Sequence, residues 1–120
     1  MNKKDLIWMG DSLEVIKSFP ERVKRDIGFA LHIAQVGSKH DNFKKMLGFT
    51  GGVYEIRSRF NKEAYRAVYV LKLDEKVYVL HAFQKKSKRG IRTPKEEVAL
   101  IKYRLTQVRQ LIASGESYAK

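Results

Sequence analysis

The chain has no cysteine among its 120 residues, which excludes disulfides, thiolate metal sites and cysteine nucleophiles together. No apolar run approaches the roughly 18 residues that a membrane-spanning helix needs. The opening MNKKDLIWMGDS lacks the apolar core of a signal peptide. Internal repeats and low-complexity segments are absent as well. These absences lead us to expect one domain over residues 1–114, a frayed tail at 115–120, and a protein of the reducing cytoplasm with no membrane role. Acids are scarce too: 13 against 25 lysines and arginines, a formal net charge of +12. Such an excess draws phosphate backbones, so nucleic acid is the expected class of partner, with an acidic protein the other candidate.

The apolar residues that are present fall into regular elements. LIWM (6–9) suits a short strand. Ser12 is placed to cap a helix through LEVIKSF, interrupted near Pro20. From Glu21, Val23, Ile27, Ala30 or Leu31, and Ala34 recur at helical spacing up to Gly37, and GSKHDNFKKMLGFTGG reads as a polar connection. Three strands follow: GVYEIRSRF (52–60), AYRAVYVLKL (64–73) and KVYVLHAFQ (76–84). Thr93 then caps a last helix whose stripe is Val98, Ile101, Leu105, Val108 and Ile112. The expected fold class is α+β: a small, mainly antiparallel sheet with two N-terminal helices and one C-terminal helix.

Strand alternation says which side chains meet. An even NKEA loop sets Phe60 opposite Tyr65 and Ile56 opposite Tyr69. A two-residue DE turn sets Leu73 opposite Lys76, Tyr69 opposite Leu80, Val68 opposite His81 and Arg66 opposite Phe83. One face then holds Tyr54, Ile56, Phe60, Tyr65, Tyr69, Leu71, Tyr78 and Leu80 and lies under helices. The other gathers Arg57, Arg59, Arg66, His81, Phe83 and Lys85, floored by valines 68, 70, 77 and 79.

Fixed cations around an aromatic ring suit RNA: arginines stabilise phosphate, and Phe83 offers a face to an unpaired base. RNA cleavage through the 2′-hydroxyl needs a proton acceptor, a donor to the leaving 5′-oxygen and positive charge on the phosphorane. Arg57 and Arg66 supply the charge in this reading, and His81, Lys85 or Lys86 move protons, since clustered cations depress lysine pKa values. No carboxylate cluster calls for a metal, and no cofactor is expected. Lys44, Lys45, Arg59, Lys88, Arg89 and Arg92 are candidate contacts to the RNA backbone, while His32 and His40 read as structural.

GVYEIR, YRAVYV and above all VYVLHAFQKKSKRGIRTPKEE resemble the phage-derived HigB-like branch of the RelE/ParE toxin superfamily. The resemblance implies a compact RelE-like domain and the toxin of a type II toxin–antitoxin pair. It further implies a metal-independent, ribosome-dependent mRNA endoribonuclease that stops translation, with mRNA on the ribosome and a helix-turn-helix antitoxin as partners. By position it supports Arg66 for transition-state charge and Lys85 or Lys86 as the basic group at the strand end, with Arg57, Phe83 and His81 in matching motifs. The tyrosine that many such enzymes carry in or before the last helix has no counterpart before Tyr103. ParE-like members act on gyrase, so a gyrase-targeting toxin and a non-catalytic RNA-binding module are the alternatives.

Overall fold

The computed structural model describes residues 3–37, 43–46, 49, 52–73, 75–85 and 93–115. In chain order the elements are β1 (Asp5–Trp8), α1 (Ser12–Lys17), α2 (Glu21–Gln35), β2 (Phe43–Lys45), β3 (Gly52–Phe60), β4 (Glu63–Leu73), β5 (Lys76–Lys85) and α3 (Lys95–Ala113). They form a five-stranded sheet in the order β1-β5-β4-β3-β2, antiparallel except where β1 runs parallel to β5. Among the described residues, no helix is long and apolar enough to cross a membrane.

The sheet is covered on both faces, because its central strands are apolar on both. On one side Val23, Ile27, Ala30, Leu31 and Ala34 of α2 pack on Tyr54, Ile56, Tyr65, Ala67, Tyr69, Val77, Val79 and Ala82. On the other, Ile101, Leu105 and Val108 of α3 pack on Val53, Val68, Val70, Tyr78, Leu80 and Phe83. Burying one such Ile or Leu side chain contributes about 1.5–3 kcal/mol. The first helical segment divides in two at Pro20, which sits at the N-cap of α2 with φ −57° and ψ 152°. Its fixed φ and missing N–H end one helix and begin the next.

Four expectations are corrected. The β3–β4 loop is two residues, Asn61 and Lys62, both at positive φ (53° and 66°), so Phe60 faces Glu63 rather than Tyr65. That is the mirror-image turn which matches strand twist. The offset is two residues, so every side chain keeps its face. Next, β5 carries a bulge: Val68 pairs with His81 but Tyr69 pairs with Val79, leaving Leu80 without an opposite number. Leu80 and Tyr78 therefore lie under α3, while Val77 and Val79 turn to α2, the reverse of the expected sides. Neither Ser12 nor Thr93 caps a helix by its side chain. Ser12 is instead fully buried, its Oγ donating to the Val79 carbonyl at 3.2 Å. Finally, the stretch read as connection contains β2, paired to β3 through Phe43–Ile56, Lys44–Glu55 and Lys45–Tyr54.

Candidate functional site

The basic residues converge at the β3–β4 hairpin end of the sheet, on the face that α3 shares. Directly opposed residues of antiparallel neighbours point to one side. One row across the strands is Arg57, Arg66 and Phe83; the next is Arg59, Ala64 and Lys85; the preceding one is Lys44, Glu55, Val68 and His81. The expected pairs Arg66–Phe83, Val68–His81 and Leu73–Lys76 are present. Lys44 joins this face, whereas Lys45 lies opposite Tyr54 and so falls on the α2 side. Both lysines are exposed.

Glu55 sits at the centre of the cluster. Its Oε1 accepts from Arg57 Nε at 3.3 Å, and its Oε2 lies 3.4 Å from Arg66 Nε. Arg66 also donates from its NH1 nitrogen to the Tyr65 carbonyl at 3.4 Å. The side chains of Glu55 and Arg66 are only 8% and 11% exposed, against 38% for Arg57. Arg66 is thus not the surface arginine that alternation alone suggests. Burial lowers its pKa from the ordinary arginine value; Glu55 opposes the shift, and Arg57 and Arg59 add to it. Lys85 is buried too. Burial first, and then Arg66, Arg57 and Lys44, push its ammonium below the ordinary lysine value, with Glu55 opposing. A lysine so placed is easier to deprotonate at working pH.

His81 and Phe83 are built into the floor rather than left open. The His81 Nδ1 atom is 3.2 Å from the Arg104 NH1 nitrogen, and its Nε2 atom is 2.5 Å from Glu97 Oε1. Arginine can only donate, so Nδ1 accepts and the proton lies on Nε2, donated to Glu97. Phe83 is 6% exposed and stacks on the His81 ring, centroids 5.4 Å apart, so little of its face is open to a base. Leu80 and His81 both reach α3 because of the bulge at this point.

Arg104 fastens α3 to this floor. Its NH1 nitrogen donates to the Leu80 carbonyl at 3.0 Å and its NH2 nitrogen to Asp11 Oδ1 at 3.0 Å. Gly10, at φ +54°, lets the guanidinium pass: a Cβ there would sit 2.4 Å from Arg104 Cζ. Glu55 is readable from the sequence as the acid alternating with Arg57 and Arg59 and as a salt-bridge partner for Arg57, and the structure forms that pair. Arg104, Asp11 and Gly10 were not singled out from the sequence. Of these three, Arg104 left a signal, since it interrupts the apolar stripe between Ile101 and Leu105. Lys86, Lys88, Arg89 and Arg92 lie outside the described residues, as does His40, while His32 is exposed on α2. Among the described residues, no group of three or more His, Asp or Glu is arranged to hold a metal ion.

Residues 14–106, or 93 of the 120, match the family described as phage derived protein Gp49-like (DUF891). The match runs from α1 into α3 and contains every described member of the basic cluster. No curated protein matches the chain.

Proposed function

From the premise that this chain belongs to the Gp49-like family of phage-derived proteins, a family of RelE-like toxin type, we propose that it is the toxin of a type II toxin–antitoxin pair that cleaves mRNA on the ribosome. The observation that carries this reading is the opposition of Arg57 and Arg66, both tied to Glu55, beside a buried Lys85 with a lowered pKa. A phosphodiester drawn into that cluster meets two guanidinium groups and a lysine able to part with its proton. The 2′-oxygen attacks the adjacent phosphorus as its proton passes to neutral Lys85. The P–O5′ bond breaks, and the departing 5′-oxygen takes a proton from the basic run that begins at Lys86 or from water. The products are a 2′,3′-cyclic phosphate and a 5′-hydroxyl end. Arg66 and Arg57 balance the charge that grows on the phosphorane, a contribution of about 3–4 kcal/mol for one well-placed donor. No step draws on a metal.

Lys44 and Arg59, both exposed, hold flanking phosphates, and Lys88, Arg89 and Arg92 stay candidate backbone contacts on the sequence alone. His81 and Phe83 act here as the support under Arg66 rather than as proton carrier and stacking plate. An acidic segment of a helix-turn-helix antitoxin would mask the same cations. The setting is the bacterial cytoplasm.

The test is brief induction of the protein alone in a bacterial host, with growth and mRNA 5′-ends followed together. Growth arrest with new 5′-ends inside reading frames is the expected result, and Lys44→Ala lowers RNA affinity with a salt slope reduced by about 1. Arrest with intact mRNA and damaged DNA would turn the reading to gyrase. Normal growth would leave binding without catalysis.

A further inference from the structure

On the sheet face shared with α3, the described strand positions at this end carry one acid, Glu55, among Lys44, Arg57, Arg59, Arg66 and Lys85. Stability alone does not explain it. A buried charge cluster of this kind is commonly replaced by apolar residues of similar volume at no loss of stability. Arginine–carboxylate pairs are frequently bidentate. Here the nearest approach to each carboxylate oxygen is a single Nε atom, a hydrogen bond from Arg57 at 3.3 Å and an ion-pair contact with Arg66 at 3.4 Å. Among the described residues, both terminal nitrogens of Arg57 and the NH2 nitrogen of Arg66 make no hydrogen bond.

We infer that Glu55 is the positioning residue of a phosphate pincer: it grips two arginines by their inner nitrogens and so presents their outer nitrogens together to a single phosphodiester group. The identity of that ligand rests on the endonuclease reading, whereas the grip itself rests on the distances alone. Arg57, the more exposed arm, meets the phosphate first, and Arg66 waits beneath it. Glu55 has a second effect through charge. Among the described residues on this face, Lys44, Arg57 and Arg66 disfavour the protonated form of Lys85, Glu55 favours it, and Arg59 adds a further cation in the Lys85 row.

Two variants separate these effects, assayed by steady-state cleavage of mRNA on translating ribosomes. Glu55→Gln keeps the shape and removes the charge. Its kcat is expected to fall at least tenfold with KM unchanged or lower, although the site has become more positive, and the midpoint of the pH–rate profile moves down. Glu55→Asp keeps the charge but cannot reach both arginines. Its kcat falls similarly while the midpoint stays. An unchanged or higher kcat in Glu55→Gln would overturn the inference, because a mere counter-charge would release activity when removed.

The arginine Nε–H protons give an independent readout by NMR on the same purified proteins. Slow exchange at both Arg57 and Arg66 in the wild type, lost at one or both in each variant, is the expected outcome. Equal exchange in all three proteins would overturn the pincer. If the wild-type protein leaves mRNA intact, the endonuclease reading falls, and the exchange measurement still decides the grip.

Discussion

Replacing Gly10 by alanine should loosen the whole α3 side of the molecule, although the change adds one methyl group at an exposed turn. Two costs are separable. An L-residue with a side chain at φ +54° costs about 1 kcal/mol relative to glycine. The new Cβ would also stand 2.4 Å from Arg104 Cζ, so the guanidinium must move. A free arginine would swing aside cheaply, but this one is 8% exposed and holds the Leu80 carbonyl, His81 Nδ1 and Asp11 Oδ1. Displacing it leaves buried acceptors unpaired, at about 1–3 kcal/mol. The expected loss for Gly10→Ala is therefore about 2–4 kcal/mol in a urea titration. In an Arg104→Leu background the clash is gone, and the same change should cost only the backbone part, about 1 kcal/mol. A coupling energy of about 1–3 kcal/mol between the two positions is the signature. Equal losses in both backgrounds would refute the argument that Gly10 exists to admit Arg104.

Arg66→Ala strands the buried Glu55 carboxylate on Arg57 alone, so we expect both loss of cleavage and a stability loss of about 3 kcal/mol by chemical denaturation. Adding Glu55→Gln should restore most of the stability and none of the cleavage; return of activity would make Arg66 a neutraliser only. Lys85 releases its proton more readily when folded than when unfolded, so its protonated form penalises the fold at all pH values below its lowered pKa, and stability gains as pH rises from there to 10.5. Lys85→Met should thus be the more stable protein at neutral pH, with an advantage that shrinks toward pH 10.5, as unfolding midpoints across pH would reveal. Lys62, at φ 66° in the two-residue turn, is a site where Lys62→Gly should raise stability by about 0.5–1 kcal/mol in the same denaturation assay.

The elements were legible because each carries its own period: the α2 stripe, the alternation of GVYEIRSRF, the stop at Pro20. The convergence of Arg57, Arg66 and Lys85 was legible for the same reason, since an error of two residues in the first hairpin preserves every face. The bulge was hidden because VYVLHAF is apolar at both parities, so neither assignment of Leu80 exposes a charge. The turn was misjudged because Asn61-Lys62 carries no glycine to mark its positive φ values. β2 has no pattern of its own, being a three-residue strand that β3 recruits along its edge. Burial of Arg66 and Lys85 was invisible for a different reason. Alternation tells the side of the sheet on which a residue lies but not how deeply its side chain is covered there.

The parallel pairing of β1 with β5 fixes an order in time. Asp5 finds its partner in Lys76, and Met9 donates to the carbonyl of Val79, so β1 cannot enter the sheet until β5 has been made. The β3–β4 hairpin, with Arg57 opposite Arg66, can form meanwhile, since its strands are near in sequence and its loop closes quickly. The fastening of α3 through Asp11 and Arg104 comes later still. A chain caught before β5 has been made would thus hold Arg57 opposite Arg66 before β1 and α3 complete its core.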